Sequence, residues 1–337
     1  MKKTDQNLLG HGSGGRLSHR LLTDVFLKYF SNSELQKLND GARLKFPGDS
    51  LVFSTDSYVV DPVFFPGGDI GRLAVCGTVN DVAMMGAKPL YLSVAFIIEE
   101  GFMISDLEKI LASMKEAAAE AGVELVTGDT KVVPRSAADK IFINTAGIGV
   151  PIGNGQLSGH FARPGDKILI NGMIADHGIA VMARREGLDL DVDIKSDAAP
   201  LNHLVSLILK ELPGIRVMRD PTRGGIATTL NEIAVQSEVG IRLVEDQLPV
   251  SQAVKAVCEI LGLDPLYIAN EGKMLVFAAE QHVAQLLALM KSHPYGRQAC
   301  VIGSVEDGPQ GKVFLKTSLG NERLIEMLTG EQLPRIC

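Results

Sequence analysis

The chain has 337 residues and a net charge of −7, and 46% of its residues are hydrophobic, 5% aromatic and 22% charged. This composition is typical of a folded globular protein and excludes an intrinsically disordered one. The acidic balance, without any basic run, argues against nucleic acid as a partner, and no stretch approaches the roughly 18 consecutive apolar residues that span a bilayer. We therefore expect a cytoplasmic protein that binds neither nucleic acid nor membrane.

Hydrophobic patterning places the first predicted elements after a polar, glycine-rich lead of residues 1–50. These elements are strand 51–56, helix 69–87, strand 90–98, helix 104–122, strand 123–129 and strand 141–150. The first of the two helices is apolar on almost all sides, a pattern typical of a buried helix. We therefore expect it inside the core of an N-terminal domain.

Residues 151–166 are rich in Gly and Pro and show little periodicity, which predicts a domain boundary. The elements predicted beyond it are strand 167–173, helices near 177–186 and 200–211, a helix opened by residues 220–225, strand 240–245, helix 250–261, strand 274–279, helix 281–291 and strand 299–305. Neither half has the regular alternation of a purely parallel sheet. The predicted fold class is α/β with mixed sheets, in an N-terminal domain (1–155), a C-terminal α/β domain (156–330) and a mobile tail (331–337).

The cluster 10-GHGSGGR-16 is a candidate phosphate-binding loop. It satisfies G-x-G-x-x-G but lacks the preceding strand that a dinucleotide-binding fold needs. It also lacks the Lys and the Ser or Thr of a P-loop, because Arg16 and Leu17 occupy those positions. Consecutive glycines still expose backbone N–H groups that can cradle phosphate. On its own, the segment is equally compatible with an N-terminal arm that binds nothing.

Four aspartates lie at the ends of apolar runs or inside one, where a buried carboxylate would need a cation or hydrogen-bond donors. Asp56, Asp129 and Asp220 follow apolar runs, and Asp81 lies beside Asn80 within the apolar helix. A carboxylate removed from water is costly unless a cation or several donors meet it. Oxygen ligands without histidine or thiol neighbours suit Mg²⁺ that bridges to nucleotide phosphates. Each aspartate alone could equally cap a helix or a turn, but together with the glycine cluster they favour a magnesium nucleotide.

The chain ends in Cys337, the last of four cysteines. None of the four stands in a C-x-x-C pair, so neither a zinc knuckle nor a redox pair is indicated. The other three, Cys76, Cys258 and Cys300, lie in apolar patterns typical of buried side chains. A free thiol at a chain end is open to oxidation. Cys337 is therefore either incidental or a reactive group on an end that moves.

Taken together, these stretches resemble the HypE family of hydrogenase maturation factors, the carbamoyl dehydratases of nickel–iron hydrogenase assembly. The resemblance runs nearly from end to end and rests on 11-HGSGGR-16, 55-TDSYVVDPVFFPGGDIGRLAVCGTVNDVAMMGAKP-89, 126-VTGDTKVV-133, 162-ARPGDKILI-170, 219-RDPTRGG-225, 269-ANEGK-273 and 334-PRIC-337. The terminal P-R-I-C separates this family from the related aminoimidazole ribonucleotide synthetases, selenophosphate synthetases and thiamine-phosphate kinases.

The resemblance implies a PurM-like fold of two domains, in which the N-terminal domains of two copies form a dimeric β-barrel. It also implies an ATP site with Mg²⁺ in the cleft between the domains. By similarity, Asp56, Asp81 and Asp220 are the leading candidates for binding Mg²⁺ and phosphate, with Asn80 and Asp129 in support. The arm that would close over the nucleotide consists of Gly12, Ser13, Gly14 and Gly15.

The resemblance further implies a reaction in which Cys337 carries the substrate. A partner carbamoyltransferase, HypF, would transfer a carbamoyl group to the Cys337 thiolate, whose pKa the adjacent α-carboxylate raises and Arg335 is expected to lower. ATP would then phosphorylate the amide oxygen, and Lys131 and Glu271 would handle the protons as phosphate leaves. The cyano group of the resulting thiocyanate would pass to iron on a HypC–HypD complex, so the tail must serve two sites.

Two other functions are compatible with the sequence. One is an ATP-dependent phosphoryl-transfer or synthetase enzyme of the same superfamily that acts on a small metabolite. The other is a nucleotide-gated adaptor without enzymatic activity, whose tail only docks on partners. The three hypotheses differ in what Cys337 must do: it is modified in the first, dispensable in the second and only bound in the third.

Overall fold

The computed structural model describes residues 6–11, 15–30, 32–37, 42, 44–153, 155–187, 194–328 and 335–337. In the N-terminal half the helices and strands are, in chain order, α1 (Gly15–Leu21), α2 (Leu27–Tyr29), β1 (Val52–Tyr58), β2 (Phe64–Phe65), β3 (Gly68–Asp69), α3 (Ile70–Met84), β4 (Ala87–Glu99), α4 (Ile104–Ala121), β5 (Glu124–Val133) and β6 (Ile141–Pro151). In the C-terminal half they are β7 (Asp166–Ile170), α5 (Asp176–Arg185), α6 (Asn202–Glu211), β8 (Val217–Arg219), α7 (Gly225–Gln236), β9 (Gly240–Val244), α8 (Gln252–Leu261), β10 (Leu275–Ala279), α9 (Val283–Ser292), β11 (Cys300–Glu306), β12 (Lys312–Lys316) and β13 (Glu322–Ile325). Among the described residues, none of the helices has both the length and the apolar character required to cross a bilayer.

Four strands of the N-terminal half form a sheet in the order β1-β6-β4-β5, and β2 and β3 pair antiparallel in a separate two-stranded sheet. β4 and β5 are parallel, whereas β6 runs antiparallel to both of its neighbours. Helix α3 contacts β1, β6 and β4 on one face of this sheet, and α4 packs against α3. β1 and β5 are therefore the two edges of a sheet that has helices on one side.

The strands of the C-terminal half form a seven-stranded sheet in the order β13-β12-β9-β11-β7-β10-β8. Its neighbouring strands are antiparallel except for β9 and β12, which are parallel. Both halves thus combine helices with a mixed sheet, which confirms the predicted fold class. The predicted division between residues 155 and 156 falls between these two sheets and stays a prediction of where one domain ends.

Helix α3 is buried on nearly every side, as its apolar pattern predicts. The Asp69 carboxylate caps the helix by accepting from two backbone N–H groups of the first turn, at 2.7 and 3.0 Å. Gly77 allows the helix to approach β1 closely, because a Cβ at this position would collide with the hydroxyl group of Tyr58. This packing fixes the C-terminal half of α3, which carries Asn80 and Asp81.

The face of the N-terminal sheet opposite α3 presents apolar side chains to solvent. Phe53 on β1 is 63% exposed and Ile97 on β4 is 43% exposed. The strand register places Phe53 opposite Ile148 of β6 and Ile97 opposite Lys131 of β5, all on this face. A partly apolar sheet face between two edge strands is typical of a surface that packs against another protein surface.

Candidate active site

The last three residues of the chain are docked against the end of strand β1. The backbone N–H of Val59 donates to a main-chain oxygen of Cys337 at 3.2 Å. Ile336 is 3% exposed and packs in the core of the N-terminal half. The sequence predicts that this tail moves; its end is bound in this structure, and the four residues from Glu331 to Pro334 lie outside the described part of the chain.

The Cys337 thiol lies among charged side chains. Burial raises the pKa of this thiol, the carboxylates of Glu271 and Asp56 raise it further, and Arg223 opposes them. The cation that favours the thiolate is therefore Arg223. The sequence led us to expect Arg335 in this role. Arg335 instead pairs with a carboxylate outside the site. In this docked state the sulfur is a neutral thiol.

Glu271 sits in the loop before β10, which three buried asparagine side chains hold in place. Asn80 donates to the carbonyl oxygen of Glu271 at 3.2 Å, and Asn171 donates to the next carbonyl oxygen at 3.1 Å. Asn270 donates to the carbonyl oxygen of Pro221 at 3.0 Å, which ties the loop to the segment that opens α7. Asparagine hydrogen bonds thus fix the loop, and none of them involves the Glu271 carboxyl group.

Glu271 is a buried acid that faces other acids. It is 4% exposed, and within the part of the chain that the structure describes its Oε1 has no hydrogen-bond partner. Burial raises the pKa of Glu271 well above its ordinary value, and the nearby carboxylates of Asp197, Asp220, Asp56 and Asp81 raise it further. These surroundings favour the protonated form of Glu271, and a cation brought into the site would lower its pKa. An unpaired polar atom at this depth marks a place where a ligand group can bind.

Asp56, Asp81 and Asp220 approach the same cleft from three different elements: strand β1, the end of helix α3 and the turn after β8. Asp81 accepts a hydrogen bond from the Ser54 hydroxyl at 2.8 Å. Burial and the charge of Asp220 raise the pKa of Asp81 to about 7. Burial also raises the pKa of Asp220, and the charge of Asp56 adds to the rise. Carboxylates that resist ionisation together indicate a site for a cationic ligand.

This oxygen-only donor set fits Mg²⁺ that is shared with phosphate better than Mg²⁺ held by the protein alone. Among the described residues, no group of three or more His, Cys, Asp or Glu side chains is arranged to hold a metal ion by itself. Mg²⁺ usually takes one or two carboxylates and completes its shell with water and phosphate oxygens. The predicted ligands Asp56, Asp81 and Asp220 therefore suit a metal ion that arrives with a triphosphate.

The side chain of Asn80 is fully bonded to backbone groups. Its Nδ2 donates to the carbonyl oxygens of Ala199 and Glu271 at 3.0 and 3.2 Å, and its Oδ1 accepts from the backbone N–H of Leu201 at 2.8 Å. Asn80 therefore joins α3 to two loops of the C-terminal half. Its predicted contact with the nucleotide would require one of these bonds to be exchanged, and it stays a prediction.

Asp129 and Lys131 lie far from the other predicted site residues of the same chain. The register aligns Asp56 on β1 with Gly128 on β5 across two intervening strands, which separates the two strands by roughly 14 Å. Asp129 and Lys131 also project from the uncovered face of the sheet, where they pair at 2.9 Å and are 63% and 62% exposed. Within one chain, the structure does not bring Lys131 to the Cys337 thiol.

The predicted nucleotide-binding arm is described only at its ends. Gly15 begins helix α1, and His11, just before the arm, lines a largely apolar cavity of about 200 Å³ together with Asp129. This cavity lies between the N-terminal helices and strands β4 and β5. The arm therefore starts beside β5 and not beside Asp56. Outside the described residues lie Gly12, Ser13 and Gly14.

Sequence reasoning missed an ion pair behind Glu271. Asp197 accepts from the backbone N–H of Glu271 at 3.1 Å, and Lys273 Nζ lies 2.8 Å from Asp197 Oδ2. The neighbouring residue Ser196 bonds through its hydroxyl group to Nδ1 of His177 at 2.8 Å, and His177 holds the chain terminus. One loop thus supports both the acid and the tail. Lys273 belongs to the 269-ANEGK-273 motif, whereas no sequence pattern identifies the others.

Comparison with known proteins identifies the family. Residues 38–151 match the family described as AIR synthase related protein, N-terminal domain, and residues 163–316 match AIR synthase related protein, C-terminal domain. The chain is also 52% identical over 330 residues to carbamoyl dehydratase HypE of Cupriavidus necator, which covers 98% of this chain and 94% of that protein. The chain belongs to the HypE carbamoyl dehydratase family. The resemblance seen in the sequence and the prediction of a dehydratase are thereby confirmed.

The likeness to HypE structures extends over both domains. The crystal structure of HypE in complex with ATP matches with a TM-score of 0.95 at 54% identity and covers 98% of this chain and 99% of that one. HypE in the HypE–HypF complex matches with a TM-score of 0.81 at 49% identity and covers 91% of this chain and 99% of that one. These matches confirm the two-domain PurM-like fold.

Replacing Asp81 with Asn should stabilise this HypE-family protein when divalent cations are absent. Since the pKa of Asp81 rises from 3.8 to about 7 on folding, the folded protein binds an extra proton at intermediate pH. The protonated Asp81 therefore contributes stability that is fully present below pH 3.8, its pKa in the unfolded chain. This contribution is lost as the pH rises through about 7, its pKa in the folded protein. In thermal melts with EDTA, we expect Asp81→Asn to be more stable than wild type by about 4 kcal/mol at pH 8, by roughly 2 kcal/mol at pH 5 and by almost nothing near pH 3.5.

Asp129→Asn is the matched control for this prediction. Its hydrogen bond with Lys131 lowers the pKa of Asp129, so removal of this carboxylate should bring no gain in stability at pH 8. If the melting temperatures of Asp81→Asn and wild type differed equally at all three pH values, the account of Asp81 as a repelled, buried carboxylate would be wrong.

Proposed function

We propose that this protein converts an S-carbamoyl group on its own Cys337 into S-cyanide by ATP-dependent dehydration, and that this group supplies the cyanide ligand of nickel–iron hydrogenase. The observation that carries the proposal is the docking of the terminal thiol beside Glu271, Asp56 and Arg223. An enzyme that acts on its own tail needs such docking, whereas an enzyme for a small metabolite does not. The burial of Glu271 beside the tail likewise favours catalysis over a simple adaptor.

The first half of the reaction activates the carbamoyl oxygen. We place ATP in the cleft of Asp56, Asp81 and Asp220, a position supported by the fit of these carboxylates to a magnesium nucleotide and by the ATP complex of a related HypE. The carbamoyl oxygen attacks the γ-phosphorus, ADP leaves, and the carbamoyl nitrogen loses one proton. Mg²⁺ held by these carboxylates would neutralise charge on the phosphates.

The second half removes the remaining nitrogen proton together with phosphate. Glu271 is the candidate base, because it is buried next to the sulfur and its surroundings give its carboxylate a high proton affinity. It can accept this proton only after it has ionised, and the cations of a bound magnesium nucleotide would favour that ionisation. The C–O bond then breaks, phosphate departs, and S–C≡N remains on Cys337.

We further propose that the active form is a homodimer in which each site takes Lys131, Asp129 and the glycine arm from the other copy. In one chain, Asp56 and the tail lie at the β1 edge of the sheet, whereas Lys131 lies at the β5 edge. A twofold axis along the strands would place β5 of one copy beside β1 of the other and close a β-barrel. Closure would also bury Phe53 and Ile97, which are exposed in the single chain.

The partners follow from this chemistry. HypF would carbamoylate Cys337, which is supported by the complex that a related HypE forms with HypF. A HypC–HypD complex would receive the cyano group on iron. Both exchanges require the tail to leave its docked position at the end of β1, because the docked Cys337 is half-buried among residues of its own chain. We place these steps in the cytoplasm, where a terminal thiol stays reduced.

Cys337→Ala should abolish ATP hydrolysis that depends on HypF and carbamoyl phosphate, because the substrate would have no attachment point. Mass spectrometry of the C-terminal peptide measures attachment of the carbamoyl group, and phosphate release measures ATP hydrolysis. Cys300→Ala is the control, since Cys300 is the other half-buried thiol and lies on β11. Undiminished ATP turnover in Cys337→Ala would favour the small-metabolite enzyme. A wild-type thiol that stays unmodified beside active HypF would favour the adaptor.

A further inference from the structure

An arginine on helix α5 donates a hydrogen bond to the backbone of the tail. Arg185 Nη2 donates to the carbonyl oxygen of Arg335 at 2.7 Å. The same guanidinium donates from Nε to the carbonyl oxygen of Asp61 at 2.8 Å, and the backbone N–H of Asp61 donates to the Arg335 carbonyl oxygen at 3.1 Å. Arg185 therefore bridges the tail and the chain segment after β1. Hydrogen bonds to a charged donor are stronger than neutral ones.

The side chain of Arg335 is recognised separately. Its guanidinium pairs with the carboxylate of Asp139 and donates from Nε to the carbonyl oxygen of Val59 at 2.9 Å. It also lies over the ring of Phe142, 5.9 Å from the centroid. These contacts select an arginine at this position of the tail, because lysine lacks the planar fork that reaches two acceptors at once.

The next residue is held by a buried histidine. Nε2 of His177 lies 2.9 Å from the carbonyl oxygen of Ile336, and Nδ1 lies 2.8 Å from the Ser196 hydroxyl. A carbonyl oxygen can only accept, so Nε2 carries the proton and Nδ1 accepts from the serine. Burial lowers the pKa of His177, which keeps the ring in this neutral form. His177 thereby fixes the tail one residue before the sulfur.

We propose that Arg185, Asp139 and His177 form a latch that holds the tail by its backbone and by Arg335, whatever group the sulfur carries. Within the described part of the chain, the Cys337 sulfur makes none of the hydrogen bonds that dock the tail. The same hydrogen bonds can therefore dock the tail whether Cys337 carries a free thiol, a thiocarbamate or a thiocyanate. The inference rests on the proposed function, since it assigns these three as positioning residues for that reaction.

The latch can be tested by the rate at which iodoacetamide alkylates Cys337 in the full-length protein. Cleavage after Glu331 releases a short C-terminal peptide for quantification by mass spectrometry. Arg185→Ala should raise this rate by about tenfold or more, because it removes charged hydrogen bonds that keep the tail docked. Arg184→Ala is the matched control, since Arg184 is the exposed neighbour of Arg185 and, among the described residues, makes no hydrogen bond or ion pair with the tail. Asp139→Asn should raise the rate several-fold.

Buried Cys76 reports on unfolding in the same experiment, because its alkylation would show that a variant had lost its core. Should Arg185→Ala unfold by this criterion, Asp139→Asn decides the question. Unchanged Cys337 rates in folded variants would overturn the latch. The measurement uses neither ATP nor a carbamoyl group, so failure of the proposed reaction would leave its outcome unaffected.

A second readout separates positioning from general loss of structure. Arg185→Ala should accept a carbamoyl group from HypF at least as fast as wild type, because its tail is free more often, yet dehydrate it about tenfold more slowly. Arg185→Lys should recover part of the dehydration rate by donating to the same carbonyl oxygens. Equal loss of both rates in a folded Arg185→Ala protein would show that Arg185 does not position the carbamoylated tail.

Discussion

Glu271→Gln should still accept a carbamoyl group on Cys337 but convert it to thiocyanate about 10²–10⁴-fold more slowly, the usual contribution of a general base. Glutamine has almost the same shape, and the bonds from Asn80 and Asp197 reach only the backbone of residue 271. The loop should therefore keep its place. The amide cannot take a proton from the activated carbamoyl group, so only the elimination of phosphate is impaired.

Single-turnover mass spectrometry of the C-terminal peptide measures this effect, since dehydration removes one water from the carbamoylated thiol. Glu326→Gln is the control, because Glu326 is exposed and uses only its carbonyl oxygen in the bond with Tyr267. The wild-type rate should rise with pH as Glu271 ionises, and the variant should lose this dependence. If Glu271→Gln dehydrated its tail at the wild-type rate, another group would have to be the base.

The candidate site residues that lie together in the structure could be recognised in the sequence, because each stands in a short motif with an unusual residue for its surroundings. Cys337, Glu271, Asp56, Asp81 and Asp220 come from separate stretches, and the structure brings all five close enough to influence one another's charge. A charged residue inside an apolar run is costly wherever the chain folds. Such residues can therefore be recognised before the fold is known.

The position of Lys131 relative to the other site residues could not be predicted in this way. It lies on β5 (Glu124–Val133), two residues beyond the end of the predicted strand 123–129. Strand order in a sheet depends on pairing between distant segments. Only the order β1-β6-β4-β5 shows that Lys131 and Asp56 occupy opposite edges. Likewise, Arg185 and His177 meet the tail through tertiary packing alone, and their stretch of sequence carries no sign of it.

Element prediction succeeded where the periodicity is long and failed where it is short. Helix α4 (Ile104–Ala121) agrees with the predicted 104–122 because its amphipathic pattern runs for five turns and ends at Gly122 in the left-handed conformation. Strand β8 (Val217–Arg219) was not predicted, since three residues cannot show alternation. The hairpin of β12 (Lys312–Lys316) and β13 (Glu322–Ile325) was also missed, because exposed polar residues dilute its apolar face.

Mixing Lys131→Ala protein with Cys337→Ala protein should restore activity that neither has alone. Lys131→Ala should reduce dehydration by about 10²-fold or more, the usual effect of removing a group that stabilises developing charge. In the proposed dimer, one site of each mixed pair combines the intact Cys337 of one subunit with the intact Lys131 of the other. Random exchange makes about half of the dimers mixed, each with one working site, so about a quarter of wild-type activity should return.

Mixing Glu271→Gln with Cys337→Ala provides the control, because Glu271 and Cys337 lie in the same half of the site in one chain. Neither site of that mixed dimer is complete, and activity should stay absent. Subunit exchange can be verified by native mass spectrometry before the assay. If the Lys131→Ala mixture stayed inactive although exchange was complete, Lys131 would have to act in its own chain, which the distance between β5 and β1 argues against. A fully active Lys131→Ala homodimer would instead remove Lys131 from the reaction while leaving the roles of Cys337 and Glu271 intact.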